Sequence, residues 1–315
     1  MLPNRSTEHR VHFQRTPMKK LAYTCYVDNQ TRYKKQAIRF IYSLLRSGIN
    51  IDDIFVSLSD DIEQEYLRLL SDLIGVKNLS IHKNFTETSK PANKWLQLNQ
   101  DSFDGYTHVS LNDCDKVYID FDDNWATNSV RACKFVPRPT YNVFKKIFEN
   151  YNLGNPRFTL EKPDPRDKHA DPRNYVNNHN GGLIIIPAHL IELVTQTWKK
   201  YIDLLLADID QLGDNGRNLD QIAFSMAMEL LGEDINHLPK SLDIGIGVRN
   251  LSEHLLKPKT GQLVLHIHGD EDDKSMIVCR ENTDPNLAKL VSSFNCSYLE
   301  WIETVGLKHL SLIHI

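Results

Sequence analysis

The sequence contains few cysteines, and no two of them are closely spaced. Five occur among 315 residues, at Cys25, Cys114, Cys133, Cys279 and Cys296. An odd number at such spacing argues against a disulfide framework and against a cysteine-based structural zinc site. Free thiols suit a reducing compartment, so we predict a cytoplasmic protein.

Long apolar runs and an excess of one charge are also missing. The uninterrupted run Leu183–Ile186 ends at Pro187, whereas a membrane-spanning helix needs ~20 apolar residues. Lys and Arg number 37 and Asp and Glu 41, for a net charge of −4. This balance argues against nucleic acid as a partner.

The N-terminal stretch lacks the apolar centre of a signal peptide. Met1–Lys20 carries five basic residues and no hydrophobic periodicity. We predict a disordered leader over residues 1–19. Its charge allows at most a peripheral contact with an anionic membrane.

Strand and helix patterns alternate in the first third of the chain. Apolar, β-rich runs are separated by segments with apolar residues at helical spacing, which predicts parallel strands joined by crossover helices. Predicted strands are Leu21–Val27, Ile54–Leu58, Leu79–His82 and Thr107–Leu111, and predicted helices run from Tyr33 to Gly48, Ile62 to Gly75 and Asn93 to Leu98. Ser59-Asp60-Asp61 is predicted to cap the second helix.

The remainder is predicted to continue the α/β pattern with one long interruption. Arg157–Asn180 is polar and proline-rich, which predicts a long loop of the kind that often covers a site. Predicted strands are Val130–Val136, Gly181–Pro187 and Leu263–Ile267, and predicted helices are Tyr141–Tyr151, His189–Ala207, Leu219–Leu231 and the tail from Asn286.

Two carboxylates one residue apart follow the predicted strand Thr107–Leu111. Open α/β sheets bind ligands at the carboxyl ends of their strands. Hard divalent cations prefer carboxylate, water and phosphate oxygens. Asp113 and Asp115 could therefore hold a cation that bridges a diphosphate, although an Asp-x-Asp is also a common solvated turn.

A second Asp-x-Asp competes for this role. Asp120 and Asp122 also follow an apolar run, Val117–Ile119. Ser110 and Asn112 make the strand before the first pair unusually polar. We prefer Asp113 and Asp115, with Lys116–Asp123 as a short strand and an acidic turn.

Several of these elements, in this order, resemble one enzyme family. They are Tyr23–Asn29 followed by Tyr33, Asn93–Leu96 before Asp113-Cys114-Asp115, Asn180-Gly181-Gly182 before a strand, Leu219-Asp220-Gln221 opening a helix, and His266-x-His268-Gly269. Together they resemble GT-A glycosyltransferases, in particular the bacterial family-8-like enzymes that use nucleotide-sugar donors. Two features depart from the family: Cys114 stands where small residues are commoner, and no Lys-Pro-Trp follows Gly269, Lys274 being the nearest lysine.

The resemblance implies a role for each matching residue. Asp113, Asp115 and a late histidine, His266 or alternatively His268, would bind Mn²⁺ or Mg²⁺. Asp220 would act as a general base or position the transferred sugar, and Gln221 could do likewise. Residues implied to bind the nucleotide sugar are Tyr23, Asp28, Tyr33, Asp60, Lys94, Asn180, Gly181 and Gly182. Several have structural alternatives: helix capping for Asp60 and Asp220, the core for Tyr33, and solvent for Lys94.

The resemblance also implies a fold, a reaction and partners. The fold would be a Rossmann-like, mixed, mostly parallel sheet flanked by helices, with a catalytic domain over residues 20–270 and a helical extension over residues 271–315. The reaction would be metal-dependent transfer from a UDP-sugar, or another nucleotide sugar, to a glycan, a lipid-linked or another hydroxyl acceptor. A non-catalytic nucleotide-sugar-binding module is the alternative, and a sugar nucleotidyltransferase a weaker one. Gly245-Ile246-Gly247 lacks the third glycine of a dinucleotide fingerprint, so we exclude an NAD site.

Overall fold

The computed structural model describes residues 20–86, 90–99, 103–121, 125–134, 139–161, 171–249, 262–268, 270–272 and 276–305. The predicted leader, Asp122, Gly269 and Lys274 lie outside these ranges. The described strands are β1 (Leu21–Val27), β2 (Ile54–Ser59), β3 (Leu79–His82), β4 (His108–Asn112), β5 (Lys116–Asp120), β6 (Arg131–Lys134), β7 (Phe158–Leu160), β8 (Arg173–Tyr175), β9 (His179–Pro187), β10 (Asn236–Leu238), β11 (Ile244–Gly245) and β12 (Leu263–His266). The described α-helices are α1 (Thr31–Arg46), α2 (Gln64–Ile74), α3 (Tyr141–Asn150), α4 (Ile191–Ala207), α5 (Leu219–Leu231) and α6 (Pro285–Thr304).

A mixed, mostly parallel sheet runs through the molecule. Its seven strands have the order β10-β6-β9-β4-β1-β2-β3. Only β9 runs against its two neighbours, β4 and β6; the other pairs are parallel. Helices flank the sheet, so the prediction of a mixed α/β fold is confirmed.

Alternate residues of β1 show how the sheet is buried on both faces. Tyr23, Cys25 and Val27 point into a core that includes residues of α1, α2 and α6. Ala22 points into the opposite core, together with residues of α3, α4 and α5. A strand with two buried faces reads as a continuous apolar run, because successive side chains point to opposite sides.

A smaller sheet lies beside the carboxyl end of β4. It has the order β11-β12-β5, in which β12 runs antiparallel to β5 and parallel to β11. β5 follows β4 after the three residues Asp113–Asp115. The pairing sets His266 opposite Lys116, directly after those three residues.

Two local predictions were wrong. Arg157–Asn180 is not one loop, because β7 and β8 form a hairpin there and β9 begins at His179. α2 begins after Glu63, so Ser59-Asp60-Asp61 ends β2 and turns instead of capping the helix. The helix predicted from Asn93 to Leu98 is present as a 3₁₀ helix over Lys90–Leu98. Within the described residues, no helix combines the length and apolar character needed to cross a membrane.

Candidate active site

Backbone hydrogen bonds hold the Asp113-Cys114-Asp115 turn between the two sheets. The Asp113 amide donates to the Gly182 carbonyl of β9 at 3.0 Å. The Ile267 amide donates to the Asp115 carbonyl at 3.2 Å. The turn is therefore fixed on one side by the large sheet and on the other by the segment that carries the late histidines.

Asp115, His266 and His268 form a cluster with the dimensions of a metal site. One ligand atom from each residue lies within 4.8 Å of the other two. His266 Nε2 is 3.3 Å from Asp115 Oδ1. Adjacent ligands of an octahedral ion with bonds of about 2.1 Å are separated by about 3 Å, so the spacing suits a divalent cation.

Unsatisfied hydrogen-bonding capacity supports the same fit. Asp115 Oδ1 is buried, and its contact with His266 Nε2 at 3.3 Å does not have the geometry of a hydrogen bond. Buried carboxylate oxygens are rarely left in this state unless an ion or a ligand meets them. The cluster therefore fits the cation that the resemblance implies.

The protonation equilibria of the cluster are strongly perturbed. Burial and the charge of Lys116 oppose protonation of His266, but Asp115 and Asp243 outweigh them, so the pKa of His266 is raised. Burial opposes ionisation of Asp115, yet His266 holds its pKa well below the usual range. Burial and the neighbouring His266 lower the pKa of His268. A cation that binds here would therefore compete with a proton for His266 Nε2.

Lys94 connects three of the predicted site elements. Its ammonium lies 2.5 Å from Asp113 Oδ1 and 3.4 Å from Asp220 Oδ2. It also donates to the Gly181 carbonyl at 3.0 Å. Burial opposes its charge, but Asp113 and Asp220 outweigh burial and raise the pKa of Lys94. The solvent-exposed alternative for Lys94 is wrong, because only 9% of the residue is exposed.

Asp220 and Gln221 present acceptor atoms that the protein leaves unused. Asp220 Oδ1 and Gln221 Oε1 are buried and have no hydrogen-bond partner among the described residues. Burial raises the pKa of the Asp220 carboxyl despite the nearby Lys94. Both side chains come from the first turn of α5, whose start places them against β9. Such acceptors suit the hydroxyl groups of a ligand.

The backbone of Asn180-Gly181-Gly182 passes close to several side chains of the site. A Cβ on Gly181 would lie 3.1 Å from Lys94 Nζ and 3.1 Å from Gln221 Cγ. A Cβ on Gly182 would lie 2.6 Å from Lys116 Cε and 3.0 Å from His266 Cε1. Gly182 is therefore required by space, whereas at Gly181 the flexible side chains of Lys94 and Gln221 would have to move by a few tenths of an ångström.

Two adjoining cavities open onto the cluster. The first, of about 380 Å³, is lined by Asp28, Tyr33, Lys94, Asp220 and Gln221 among others. The second, of about 350 Å³, is lined by Asn180 and His266 among others. Both share the following residues: Asp113, Asp115, Arg217, Gln221 and His268.

The structure brings some of the predicted nucleotide-binding residues to the cavities and leaves others away from them. Asp28 lines the first cavity and accepts hydrogen bonds from the amide and side chain of Gln30, both at 3.0 Å. Tyr33 lines it too and remains half-buried against the core, so both of its predicted environments are present.

Tyr23 and Asp60 do not reach the site. Tyr23 is buried, with its ring edge-on to Tyr118 and Phe121 at 6.0 Å. The predicted nucleotide contact of Tyr23 is therefore wrong, because an inward-facing position of β1 belongs to the core. Asp60 lies in an exposed turn and is not among the described residues that line either cavity.

The register of β5 separates the two competing Asp-x-Asp pairs. Asp120 pairs with Leu263, at the opposite end of β5 from the Lys116–His266 pair. Four residues of strand span roughly 13 Å. The late histidines therefore lie beside Asp115 and not beside Asp120.

Three residues of the site were missed by sequence reasoning. Lys116 is fully buried and forms a short ion pair with Asp243. Asp243 also accepts a hydrogen bond from His266 Nδ1 at 2.9 Å. Arg217 lines both cavities. A lysine directly after Asp-x-Asp was a usable signal for Lys116, whereas Asp243 and Arg217 lie in no recognisable pattern.

Comparisons with known proteins give fold neighbours only. No family model matches the chain, and no curated protein sequence matches it either. Among solved structures, it is similar to the galactosyltransferase LgtC in complex with donor and acceptor sugar analogs, at 12% identity and a TM-score of 0.44, over 86% of this chain and 95% of LgtC. It is also similar to the apo form of the glycosyltransferase GlyE of Streptococcus pneumoniae TIGR4, at 15% identity and a TM-score of 0.42, over 91% of this chain and 64% of GlyE. Similarity at this level does not decide family or activity. A proposal of function therefore has to rest on the geometry of the site.

Proposed function

We propose that this chain is a metal-dependent glycosyltransferase that uses a nucleotide-diphosphate sugar, with a UDP-sugar as the expected donor. One observation carries the proposal: Asp115, His266 and His268 converge within 4.8 Å and help to line two cavities. Arg217 lines both cavities, and Lys94 and Asp220 line the first. The acceptor, whether a glycan, a lipid-linked sugar or another hydroxyl compound, stays a prediction, as does a cytoplasmic location.

The ligand atoms favour Mn²⁺ over Mg²⁺ in this proposal. Mg²⁺ is bound mainly through oxygen, whereas two imidazoles join one carboxylate in the cluster. When bound, the cation would neutralise the negative charge that develops on the departing diphosphate. Asp113 would join as a further carboxylate, since its Oδ2 lies 4.0 Å from His266 Nε2.

Basic side chains complete the anion-binding part of the site. Arg217 lines both cavities and pairs with no carboxylate in the described part of the chain. Lys94 is already paired with two carboxylates and orients them instead. In our proposal Arg217 therefore supplies a phosphate contact in place of the Lys-Pro-Trp of the resembling family, which is missing after Gly269.

Asp220 and Gln221 would hold the sugar side of the reaction. Their unused acceptor atoms lie where hydroxyl groups of a transferred sugar or an acceptor could donate. The raised pKa of Asp220 brings that carboxyl closer to the range in which a side chain takes a proton efficiently. Asp220 would act as the base if the enzyme inverts the sugar, and would position the sugar if it retains the configuration.

A combined binding and turnover experiment tests the proposal. Melting temperature is measured for a panel of nucleotide sugars with and without Mn²⁺, and nucleotide release is measured in the same samples. A productive donor should raise the melting temperature by mass action only when Mn²⁺ is present, and should release nucleotide. Tight binding without turnover for any donor would instead identify a binding module, and no binding of any nucleotide sugar would overturn the proposal.

Two matched variants locate the cation in the same experiment. Asp115→Asn should abolish the Mn²⁺-dependent rise, because it removes the charge of a central ligand. Asp120→Asn changes the same residue type at the far end of β5 and should leave the rise intact. The opposite pattern would transfer the metal site to the second Asp-x-Asp.

A further inference from the structure

Asp243 is placed beside the imidazole of His266 by strand pairing. It immediately precedes β11, and β11 runs parallel to β12 with Gly245 opposite His266. The two side chains meet through Asp243 Oδ1 and His266 Nδ1 at 2.9 Å. Twenty-three positions separate the two residues in the chain.

Both oxygens of the Asp243 carboxylate are engaged. Oδ1 also contacts the buried ammonium of Lys116, and Oδ2 accepts a hydrogen bond from Asn180 Nδ2 at 2.9 Å. The Asn180 side chain in turn accepts from the Gly182 amide at 2.8 Å. The carboxylate is therefore fixed by β5, β9 and β12 together and has little freedom to rotate.

A fixed acceptor at Nδ1 decides what the other imidazole nitrogen can do. A neutral histidine carries one proton, so a proton held at Nδ1 leaves the Nε2 lone pair free. Nε2 is the atom that lies 3.3 Å from Asp115 Oδ1. Carboxylates in this position commonly orient histidine ligands of metals.

We propose that Asp243 is a positioning residue that holds His266 with Nδ1 protonated and Nε2 directed at the cation. The inference rests on the proposed metal-dependent function. Asp243 touches neither the cation nor the substrate in this role and acts only through His266. The competing explanation is that Asp243 serves only as the counter-ion of Lys116, which is fully buried.

A pair of variants separates the two explanations. Lys116→Met removes the buried cation but keeps the acceptor for His266. The double variant Lys116→Met/Asp243→Leu replaces both charges with apolar groups of similar size, an exchange that buried ion pairs often tolerate in stability. Only the double variant removes the acceptor at Nδ1.

The first readout is the affinity for Mn²⁺ alone, which is measured from the electron paramagnetic resonance signal of the free ion. We expect the double variant to bind Mn²⁺ about 10- to 100-fold more weakly than Lys116→Met, because only the double variant lacks the acceptor at His266 Nδ1. Urea unfolding of the same samples confirms that each variant is folded. If the double variant binds Mn²⁺ like wild type, Asp243 is only a counter-ion and the inference is overturned.

The second readout is the tautomer of His266 in metal-free ¹⁵N-histidine-labelled protein at alkaline pH, where the imidazole is neutral. The His266 resonances are assigned by their loss in His266→Gln. Wild type and Lys116→Met should show a proton at Nδ1, and the double variant should show a mixture of tautomers. An unchanged tautomer in the double variant would contradict a positioning role.

The results are different if the proposed metal-dependent function itself is wrong. In that case, wild type would bind no Mn²⁺, or Asp115→Asn would bind it as well as wild type. Either result removes the metal site itself and overturns the proposed function together with this inference.

Discussion

Arg217 differs from the other basic residues near the site in having no carboxylate partner among the described residues. Lys94 and Lys116 are buried and paired with aspartates, whereas Arg217 is exposed on the cavity wall. An unpaired guanidinium at this position suits a phosphate, which it can bind through two parallel hydrogen bonds. Its contribution should therefore appear in donor binding and not in stability.

Arg217→Ala should raise the KM for the nucleotide sugar by at least about 10-fold, because the charge-assisted hydrogen bonds of the guanidinium to phosphate are lost. The salt dependence of KM should also become weaker, because one screened attraction is removed. Steady-state kinetics at several salt concentrations measure both effects. Arg68→Ala, in the exposed face of α2, is the control; an equal rise in that variant would show a nonspecific charge effect.

Asp220 offers a test in which stability and activity change in opposite directions. Its folded-state pKa is raised, chiefly by burial, so ionisation of this carboxyl disfavours the folded state at neutral pH. Asp220→Asn should therefore be at least as stable as wild type at pH 7. Donor turnover should nevertheless fall by about 100-fold or more, since a proton acceptor or sugar contact is lost.

The difference in stability between wild type and Asp220→Asn should depend on pH in a defined direction. A raised carboxyl pKa means that wild type gains stability as the pH falls, so the difference from Asp220→Asn should shrink in acid, where both side chains are neutral. Urea unfolding at pH 7 and pH 4 measures it. Asp210→Asn, an exposed residue, should give no such trend, and a strong loss of stability in Asp220→Asn at pH 7 would contradict the argument.

At the scale of elements, β9 leaves space at Gly182 for side chains of the smaller sheet. Gly182 lies where a Cβ would overlap Lys116 Cε at 2.6 Å and press on His266 Cε1 at 3.0 Å. Lys116 belongs to β5 and His266 to β12, so one methyl group would displace residues of two strands. The constraint comes from space, because the backbone of Gly182 is not in the left-handed region.

Gly182→Ala should lower the Mn²⁺ affinity by about 10-fold or more through displacement of His266. It should also reduce the free energy of unfolding by about 1–3 kcal/mol, as overpacked sites do. Gly245→Ala is a matched control in β11, where a Cβ would meet nothing within 4 Å. Titration of Mn²⁺ and urea unfolding test both variants, and an unchanged affinity in Gly182→Ala would show that His266 accommodates the methyl group.

Regular elements with strong local patterns were predictable, and their residues explain why. β1, β3 and α5 have the predicted bounds because apolar runs or helical spacing extend over their full lengths. The polar strand β4 was predicted as well, and the side chains of Ser110 and Asn112 are satisfied in the structure. Asn112 donates to Ser110 Oγ at 3.2 Å and accepts from the Tyr118 hydroxyl at 2.6 Å.

Elements that depend on distant partners were not predictable. β7 and β8 have three residues each, too few to show an alternating pattern. β11 has two residues and exists only by pairing with β12. Asp243 was missed for the same reason, since its nearness to His266 results from that pairing and not from any local spacing. Site residues within a sequence motif were thus predictable, whereas Asp243, which strand pairing places beside His266, was not.

At the scale of the whole molecule, Glu271 joins α1 to the chain that follows β12. Its carboxylate lies 2.8 Å from Arg39 Nη1 and 3.1 Å from Arg32 Nε, and it accepts from Gln36 Nε2 at 2.8 Å. Arg39 is fully buried. Arg32 and Gln36 line the first cavity, as Asp28 and Tyr33 do. The contacts of Glu271 therefore also connect the segment that follows the late histidines to this cavity.

Glu271→Gln should lower the free energy of unfolding by about 3 kcal/mol, because it leaves the buried Arg39 charge without the carboxylate. Glu149→Gln, which breaks an exposed pair with Lys145 on α3, should change it by less than about 0.5 kcal/mol. Urea unfolding of both variants gives the comparison. A loss in Glu271→Gln as small as in Glu149→Gln would mean that solvent or a rearranged side chain compensates the charge of Arg39. The contacts of Glu271 would then not stabilise α1, three of whose residues, Arg32, Tyr33 and Gln36, line the first cavity.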